Sequence, residues 1–353
     1  MLCIAAFIIL LVIGAFSARY RKYLRKAASC TFRKVTFRAC DTSFKQDLKD
    51  GMLAPLAARQ PQLVRPASVL IEILAVVIVL TTVWSLYTGA KTVLNLAVYG
   101  TCDKQNSESC TLGAESCAVG DFTPTFLESL GALDVVGAFG NEFASLGETI
   151  AAVPARMRDW NAEEYLPPSA TYLRPFDASQ PTAIEIIDPG CRYCRQLFQN
   201  IEDAGFADAY NLTYIAFPIE SADGYKFSGS LLVTQYLEAL RLHPLETADV
   251  PVDWQILTHI YLDSNDRGAS YQTEINNRTG SEVTALLTGW LVDAGMTPEQ
   301  VDEIAREAAS DRVAGIIADN NELVRTTIGT VKIPTMIFDG SRRDGLVSVD
   351  DLR

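Results

Sequence analysis

The stretch DPGCRYCRQLF, residues 188–198, contains the feature on which the interpretation of the whole chain depends. It places Cys191 and Cys194 two residues apart, between an apolar run and the start of an apolar helical pattern. A cysteine pair with this spacing occurs in three kinds of site: half of a metal site, a structural disulfide, or a redox centre.

A metal site is the least favoured of the three. Structural zinc needs four ligands, usually two cysteine pairs or one pair with two histidines. The chain has no second Cys-x-x-Cys, and its only histidines, His243 and His259, lie far along the chain in helical patterns. We predict no metal and no cofactor, and assign the histidines no role. A structural disulfide across so short a loop would gain little from chain entropy.

The redox interpretation has a physical mechanism. Cys191 falls at the start of a predicted helix, where free N–H groups and the helix dipole favour the reactive thiolate. Arg192 and Arg195 add positive charge nearby. Cys194, one turn into the helix, is predicted to be more buried and to resolve a mixed disulfide held on Cys191. Asp188 either tunes a thiol pKa and moves protons, or caps the helix.

The surrounding pattern supports a βαβ unit. TAIEIID (182–188) predicts a strand buried on both faces, and NLTYIAFPI (211–219) predicts a second strand after the cysteine helix. Residues 226–327 are almost wholly helical in pattern, and VKIPTMIFDG (331–340) predicts one more short strand. A Cys-x-x-Cys beside a βαβ pattern is the context of a thioredoxin-like motif.

Here the sequence resembles the thioredoxin superfamily. AIEIIDPGCRYCRQLF resembles the first strand and active-site helix of Dsb-type extracytoplasmic disulfide oxidoreductases, and IPTMIFDG resembles their cis-proline loop. The helical stretch 226–327 resembles the helical insertion of DsbA-like proteins. The resemblance covers roughly residues 170–353 and implies an α/β, thioredoxin-like fold with a large helical insertion. Few residues follow Gly340, so the family's closing helix is predicted to be short or missing.

The resemblance also implies roles for individual residues. In that family the cis-proline loop lies against the cysteines and holds an extended substrate by its backbone. The roles carried over are Cys191 as nucleophile, Cys194 as resolving thiol, Pro334 as cis-proline, and Ile333, Thr335, Arg192 and Tyr193 as substrate contacts.

Two apolar runs predict a membrane anchor. Residues 2–18 carry no charge, and residues 67–89 carry only Glu72. A spanning helix needs about 20 apolar residues. The first run lacks the basic region of a signal peptide, since only Met1 precedes it. We therefore predict transmembrane helices at 1–18 and 67–90, with the lipid bilayer as a partner.

The charge distribution predicts the orientation of this anchor. The region 19–65 contains twelve Lys and Arg against three Asp, although the whole chain has a net charge of −13. Short basic loops stay in the cytoplasm. The loop 19–66 is thus predicted to be cytoplasmic, with the N-terminus and everything after residue 90 outside, in a bacterial inner membrane. No nucleic-acid partner is predicted.

The remaining cysteines divide by compartment. Cys3 falls in the first span, and Cys30 and Cys40 in the cytoplasmic loop, where we assign them no role. The membrane-proximal, mostly helical segment 91–165 contains an odd set of three: Cys102, Cys110 and Cys117. Two are expected to form a local disulfide, and the sequence leaves open which two. The third is either a spare thiol or a relay that pairs with a partner or exchanges with Cys191.

These observations predict a membrane-anchored thiol-disulfide oxidoreductase, with its thioredoxin-like domain at 166–353. It would form or isomerise disulfides in exported proteins that contain cysteines, and a membrane redox partner would recycle it. Two alternatives remain: a disulfide reductase fed by a membrane electron carrier, and a non-catalytic peptide-binding or chaperone module. The residues between the cysteines do not fix the redox direction.

Overall fold

A computed structural model describes residues 60–353 apart from 106–109, 111–112, 120–122 and 246–248, with isolated residues between 25 and 58. The predicted first span at 1–18 lies outside the described residues, as do Cys3, Cys30 and Cys40. The chain divides into two compact units, residues 1–91 and 92–353.

Helix α1, Val64–Tyr99, contains the predicted second span. Together with the 3₁₀ turn Pro61–Leu63 it forms a 39-residue helical stretch with a mean hydropathy of 2.5 in its most apolar part. Among the described residues it is the one helix that is long and apolar enough to cross a bilayer. Its length and composition allow it to anchor the chain in a membrane.

The remaining elements form the second unit. The strands are β1 (Cys117–Ala118), β2 (Thr182–Ile187), β3 (Asn211–Ala216), β4 (Glu220–Ser221), β5 (Gly224–Tyr225), β6 (Lys332–Ile333), β7 (Thr335–Phe338) and β8 (Ser341–Asp344). The helices are α2 (Phe126–Gly131), α3 (Val135–Met157), α4 (Arg192–Ala204), α5 (Ser230–Leu242), α6 (Val252–Leu262), α7 (Tyr271–Asn277), α8 (Gly280–Asp293), α9 (Pro298–Ala308), α10 (Asp311–Glu322) and α11 (Val349–Leu352).

The central sheet has four strands in the order β3-β2-β7-β8. Strands β2 and β3 are parallel, whereas β7 is antiparallel to both of its neighbours. The register of β2 with β7 pairs Ile186 with Thr335 and Ile184 with Ile337. Strand β2 is buried along nearly its whole length, which explains its almost uninterrupted apolar sequence.

Helix α4 follows β2 closely and carries the cysteine pair at its start. Its apolar stripe, Leu197, Phe198 and Ile201, is fully buried. The helix ends at Gly205, whose φ of 66° is the left-handed conformation that favours glycine after a helix. The predicted short closing helix is α11, which begins after Ser348, whose hydroxyl accepts from the N–H of Asp351, and packs against α4.

The helical insertion extends from α5 to α10 and then continues as a π-helical turn, Leu323–Ile328. Capping boxes start two of its helices, with Thr279 and Glu282 on α8 and Thr297 and Gln300 on α9. Strand, cysteine helix, parallel strand, helical insertion and cis-proline strand follow in the predicted order. The thioredoxin-like architecture predicted for this part of the chain is therefore confirmed.

A buried ionic cluster joins the insertion to the sheet. Arg241 on α5 donates from Nη2 to the carbonyl oxygen of Tyr214 on β3, at 2.8 Å. Its Nε lies 3.3 Å from Asp253 Oδ2, and its Nη1 lies 3.5 Å from Glu238 Oε1. All three charged side chains are almost completely buried. The positive charge of Arg241 therefore balances the negative charge of both buried carboxylates.

Replacing this guanidinium should destabilise the second unit. We expect Arg241→Ala to lower its free energy of unfolding by about 3–5 kcal/mol, because two buried carboxylates lose their counter-charge. Urea titration followed by tryptophan fluorescence measures the change. Arg312→Ala, which removes an exposed ion pair with Glu307, is the control and should cost less than about 1 kcal/mol. Equal losses in the two variants would contradict the role of the cluster.

Candidate active site

Cys191 is the residue that caps the N-terminus of α4. Its N–H donates to the carbonyl oxygen of Asp188 at 3.0 Å, and its own carbonyl accepts from the N–H groups of Cys194 and Arg195, at 3.0 and 3.3 Å. The Cys191 sulfur thus lies at the N-terminus of the helix, where N–H groups without an intrahelical partner and the helix dipole favour negative charge. This position favours the thiolate whenever Cys191 is reduced.

The sulfur of Cys191 is bonded to Cys117, and Cys194 is left as a buried free thiol. The S–S distance is 1.98 Å and the two Cα atoms lie 6.3 Å apart. Cys102 and Cys110 form a second, local disulfide. Among the three membrane-proximal cysteines, Cys117 is therefore the one that reaches the Cys-x-x-Cys pair.

Sequence reasoning missed the element that carries Cys117. Strand β1 is only two residues long and lies in a polar stretch without strand periodicity, so no local pattern indicates it. It covers Cys191, whose side chain is as inaccessible as that of Cys194. The expected difference in burial between the two cysteines is therefore absent in this arrangement.

The cis-proline loop lies directly beside the cysteines. The bond Ile333–Pro334 is cis, and the carbonyl oxygen of Ile333 is 3.7 Å from Cys191 Sγ. Ile333 is buried opposite Cys117. Thr335 is also buried, and its hydroxyl donates to the carbonyl oxygen of Lys332 at 2.7 Å. The backbone of β6 is thus available for pairing with a neighbouring strand. The Thr335 hydroxyl stabilises the loop itself.

The two residues between the cysteines face an open cleft. Arg192 is exposed and lies over the ring of Tyr193, with Cζ 4.6 Å from the ring centroid, and it donates to the phenol oxygen at 2.6 Å. The residues lining this cleft are Glu115, Arg192, Tyr193, Arg195, Gln196 and Gln199. Arg195 also donates from Nε to the carbonyl oxygen of Tyr261 at 2.9 Å, which ties α4 to the insertion.

The insertion fixes the loop that precedes Cys191. Gln272 donates from Nε2 to the carbonyl oxygens of Pro189 and Cys191, at 2.9 and 3.0 Å. Asn276, one turn further along α7, donates to the carbonyl oxygen of Gly190 at 2.9 Å. These two residues are missing from the sequence-based predictions, because their contacts depend on how a distant helix packs.

Asp188 braces the same loop and does not cap α4. Its carboxylate accepts from the N–H of Gly190 at 2.8 Å, from the N–H of Ile219 at 2.7 Å and from the hydroxyl of Ser230. Burial raises the pKa of Asp188 to about 6, although these hydrogen bonds oppose the shift. Its backbone N–H donates to Cys194 Sγ at 3.4 Å. The predicted helix cap is therefore absent, because the carboxylate binds Gly190, Ile219 and Ser230 instead, and the alternative role in the thiol pKa or in proton movement stays a prediction.

The thiol of Cys194 is held in its neutral form. Burial raises its pKa well above the ordinary value, and the negative charges of Asp188 and Glu185 raise it further. The hydrogen bond from the Asp188 N–H acts in the opposite direction. Cys194 therefore needs a proton acceptor before it can act as a nucleophile.

Glu185 is the functional candidate that sequence reasoning overlooked. It lies on β2 with its side chain fully buried, and neither carboxylate oxygen has a hydrogen-bond partner among the described residues. Burial raises the pKa of Glu185 to about 8. A detectable signal existed, since Glu185 is the only charged residue in the apolar run TAIEII.

No protein-family model matches the chain, and no curated protein matches it. Solved structures similar to it include a thioredoxin-like oxidoreductase from Silicibacter pomeroyi (18% identity, 52% of this chain and 88% of that one, TM-score 0.36). Another is the thiol-disulfide exchange protein α-DsbA2 from Wolbachia pipientis (14% identity, 53% of this chain and 84% of that one, TM-score 0.36). A third is MdbA, a thiol-disulfide oxidoreductase from Corynebacterium matruchotii (21% identity, 49% of this chain and 82% of that one, TM-score 0.36).

The buried Glu185 should make stability depend on pH. Its pKa is about 8 in the folded chain against an ordinary value of 4.5, so the folded state holds the proton more tightly. The free energy of unfolding should fall as pH rises from 6 to 8, above the pKa of Asp188, with a slope of up to about 1.4 kcal/mol per pH unit. Urea titrations across this range measure the slope.

Glu185→Gln should remove this component, because the amide does not titrate. Glu282→Gln is the matched control: this carboxylate is exposed in a helix cap and its pKa is lowered, so it should leave the slope unchanged. Identical slopes for Glu185→Gln and the unsubstituted chain would contradict the assignment.

Proposed function

We propose that the protein is a membrane-anchored thiol-disulfide oxidoreductase that forms or isomerises disulfides in exported proteins. One observation carries this proposal. Cys191, at the helix N-terminus, is bonded to a cysteine on an extended strand beside the cis-proline loop, while Cys194 waits as a free thiol. This is the arrangement of a mixed disulfide between a nucleophilic cysteine and a protein substrate.

The exchange begins with a disulfide between Cys191 and Cys194. A substrate thiolate attacks Cys191 Sγ, the Cys191–Cys194 bond breaks, and Cys194 leaves as a thiolate that takes up a proton. A second substrate thiolate then attacks the substrate sulfur of the mixed disulfide. Cys191 leaves as a thiolate, and the substrate has lost two electrons to the enzyme. A membrane electron acceptor would take these two electrons and restore the disulfide.

The proton transferred at Cys194 needs a group in the interior to accept and return it. Glu185 and Asp188 both interact electrostatically with this thiol. Glu185 suits the task better at neutral pH, since burial places its pKa near 8 and its oxygens have no competing hydrogen bonds among the described residues. We assign Glu185 as the proton carrier and Asp188 as a positioning residue.

Substrate would be recognised mainly through its backbone. Strand β6 pairs antiparallel with an extended segment, and such strand addition accepts many sequences because the main chain provides the hydrogen bonds. Arg192 and Tyr193 line the adjacent open cleft and would contact side chains of the substrate. A site of this kind fits an enzyme that acts on many exported proteins.

Capture of substrates tests the catalytic role. In Cys117→Ser/Cys194→Ala, neither the chain's own strand nor the resolving thiol can release a substrate from Cys191. We expect mixed disulfides to accumulate on this variant, seen as species that disappear on reduction in non-reducing gels. Adding Cys191→Ser to the same background is the control and should abolish them. If Cys191→Ser alone refolds a reduced disulfide substrate as fast as the unsubstituted chain, the enzyme proposal fails.

Equilibration with glutathione tests the redox direction. We expect the reduced and oxidised forms to be comparably populated in a glutathione buffer of oxidising composition, because an oxidase must accept electrons from substrate thiols. Alkylation and mass measurement give the two populations. A potential well below that of glutathione would instead favour the reductase alternative.

Protease protection tests the proposed orientation in a bacterial inner membrane. With the thioredoxin-like domain outside, protease added to spheroplasts should remove a C-terminal epitope, because only the outer face is accessible. An epitope inserted in the predicted cytoplasmic loop 19–66 is the control and should survive until the membrane is lysed. The reverse pattern would contradict the orientation.

A further inference from the structure

The segment 114–119 occupies the edge of β6 as an added strand. Cys117 pairs with Ile333 and Ala118 with Lys332, in antiparallel register. The N–H of Val119 donates to the carbonyl oxygen of Val331 at 3.1 Å, which extends the pairing by one residue. A substrate strand that delivered a cysteine to Cys191 would need this same edge.

Further contacts, from Lys332 and from residues 345–346, hold segment 114–119 in place. The N–H of Leu346 donates to the carbonyl oxygen of Glu115 at 2.7 Å. The ammonium group of Lys332 donates to the carbonyl oxygen of Ala114 at 3.1 Å. Gly345 permits the close approach: a Cβ there would lie 2.8 Å from the Cβ of Ala114, and its φ of 93° also favours glycine.

In this arrangement the nucleophile is closed to other proteins. Cys117 is 3% exposed and Cys191 is 0% exposed, so an incoming thiolate has no path to the sulfur. Substrate can reach Cys191 only after the strand has left. Departure of the strand first requires the Cys117–Cys191 bond to break.

The chain contains the group that can break this bond without an external reagent. Cys194 is a free thiol one helical turn from Cys191. Its thiolate can attack Cys191 Sγ; the Cys191–Cys194 bond forms, the Cys117–Cys191 bond breaks, and Cys117 leaves as a thiolate that takes the proton lost by Cys194. One disulfide and one thiol are present before and after, so no net electrons move.

We propose that Cys117 is a third redox-active cysteine of this centre, and that segment 114–119 is a built-in substrate strand that exchanges the disulfide with Cys194 and competes with exported proteins for Cys191. This inference rests on the proposed function. A tethered segment competes at an effective concentration on the order of millimolar. The strand therefore protects Cys191 from micromolar thiols until the internal exchange releases it.

Disulfide mapping of the full chain in detergent micelles tests the exchange. The protein is equilibrated in glutathione buffer, alkylated and digested without reduction. We expect both Cys117–Cys191 and Cys191–Cys194 peptides from the unsubstituted chain, because the two disulfides interconvert. Cys194→Ser should leave only Cys117–Cys191, and Cys117→Ser should leave only Cys191–Cys194.

Two substitutions weaken the strand without touching a cysteine. Val119→Pro removes the N–H that donates to Val331, and Gly345→Ala places a Cβ against Ala114. Both should shift the balance toward Cys191–Cys194 by about tenfold, because the strand loses a hydrogen bond in the first variant and meets a steric clash in the second. Gly295→Ala is the matched control: its φ of 91° carries the same backbone strain and its Cβ meets nothing within 4 Å, so the balance should not change.

Kinetics test the competition. Mixed-disulfide formation with a reduced substrate at micromolar concentration should be at least about tenfold faster in Cys117→Ser than in the unsubstituted chain, because the tethered competitor is gone. Gly295→Ala should react at the unsubstituted rate.

The outcomes separate this inference from the proposed function. An unsubstituted chain that gives only Cys191–Cys194 peptides, and reacts as fast as Cys117→Ser, overturns the inference while leaving the enzyme proposal intact. A chain that gives only Cys117–Cys191, even after long equilibration, also overturns it, because that bond is then a static structural disulfide. If Cys117→Ser exposes Cys191 but neither form exchanges with any substrate, the proposed function itself fails.

Discussion

The antiparallel pairing of β2 with β7 is the constraint on which the site depends. Cys191 follows β2 by a short loop, and Pro334 directly precedes β7, yet the whole helical insertion separates them in sequence. The register that pairs Ile186 with Thr335 brings the carbonyl oxygen of Ile333 to 3.7 Å from the Cys191 sulfur. Without this pairing, the cysteine motif would have no neighbouring backbone from the cis-proline loop beside it.

The insertion has a second function beyond linking the two halves of the sheet. Gln272 and Asn276 donate to three backbone carbonyls around Cys191, and Asp188 fixes the same loop from within. Their combined effect is to hold the loop around Cys191, and with it the sulfur, at one position. A preorganised loop matters for exchange chemistry, because three sulfurs must lie nearly in line when one replaces another.

Burial determines the ionisation of Cys194 and of the two carboxyl groups that interact with it. Cys194, Asp188 and Glu185 are all fully buried, and each has a pKa raised by burial. Charge on any one of these groups is unfavourable, because burial removes the water that would stabilise it. The burial that raises the pKa of Glu185 should also lower the free energy of unfolding as pH rises. Strand β1 completes the exclusion of water by covering Cys191.

Strong local signals predicted four elements of the domain from sequence: the Cys-x-x-Cys helix start, the buried strand that begins at Thr182, the helical insertion and the Ile-Pro-Thr loop. Each depends on residue spacing or on local backbone preference, which a single segment contains. Three features depend on the folded chain. Cys117 is the cysteine that meets Cys191, and Gln272 and Asn276 hold the loop around Cys191. Among the described residues, the buried carboxylate of Glu185 has no hydrogen-bond partner. These contacts join segments that are far apart in sequence. Their energy comes from packing in the folded chain, which the local pattern of either segment does not indicate.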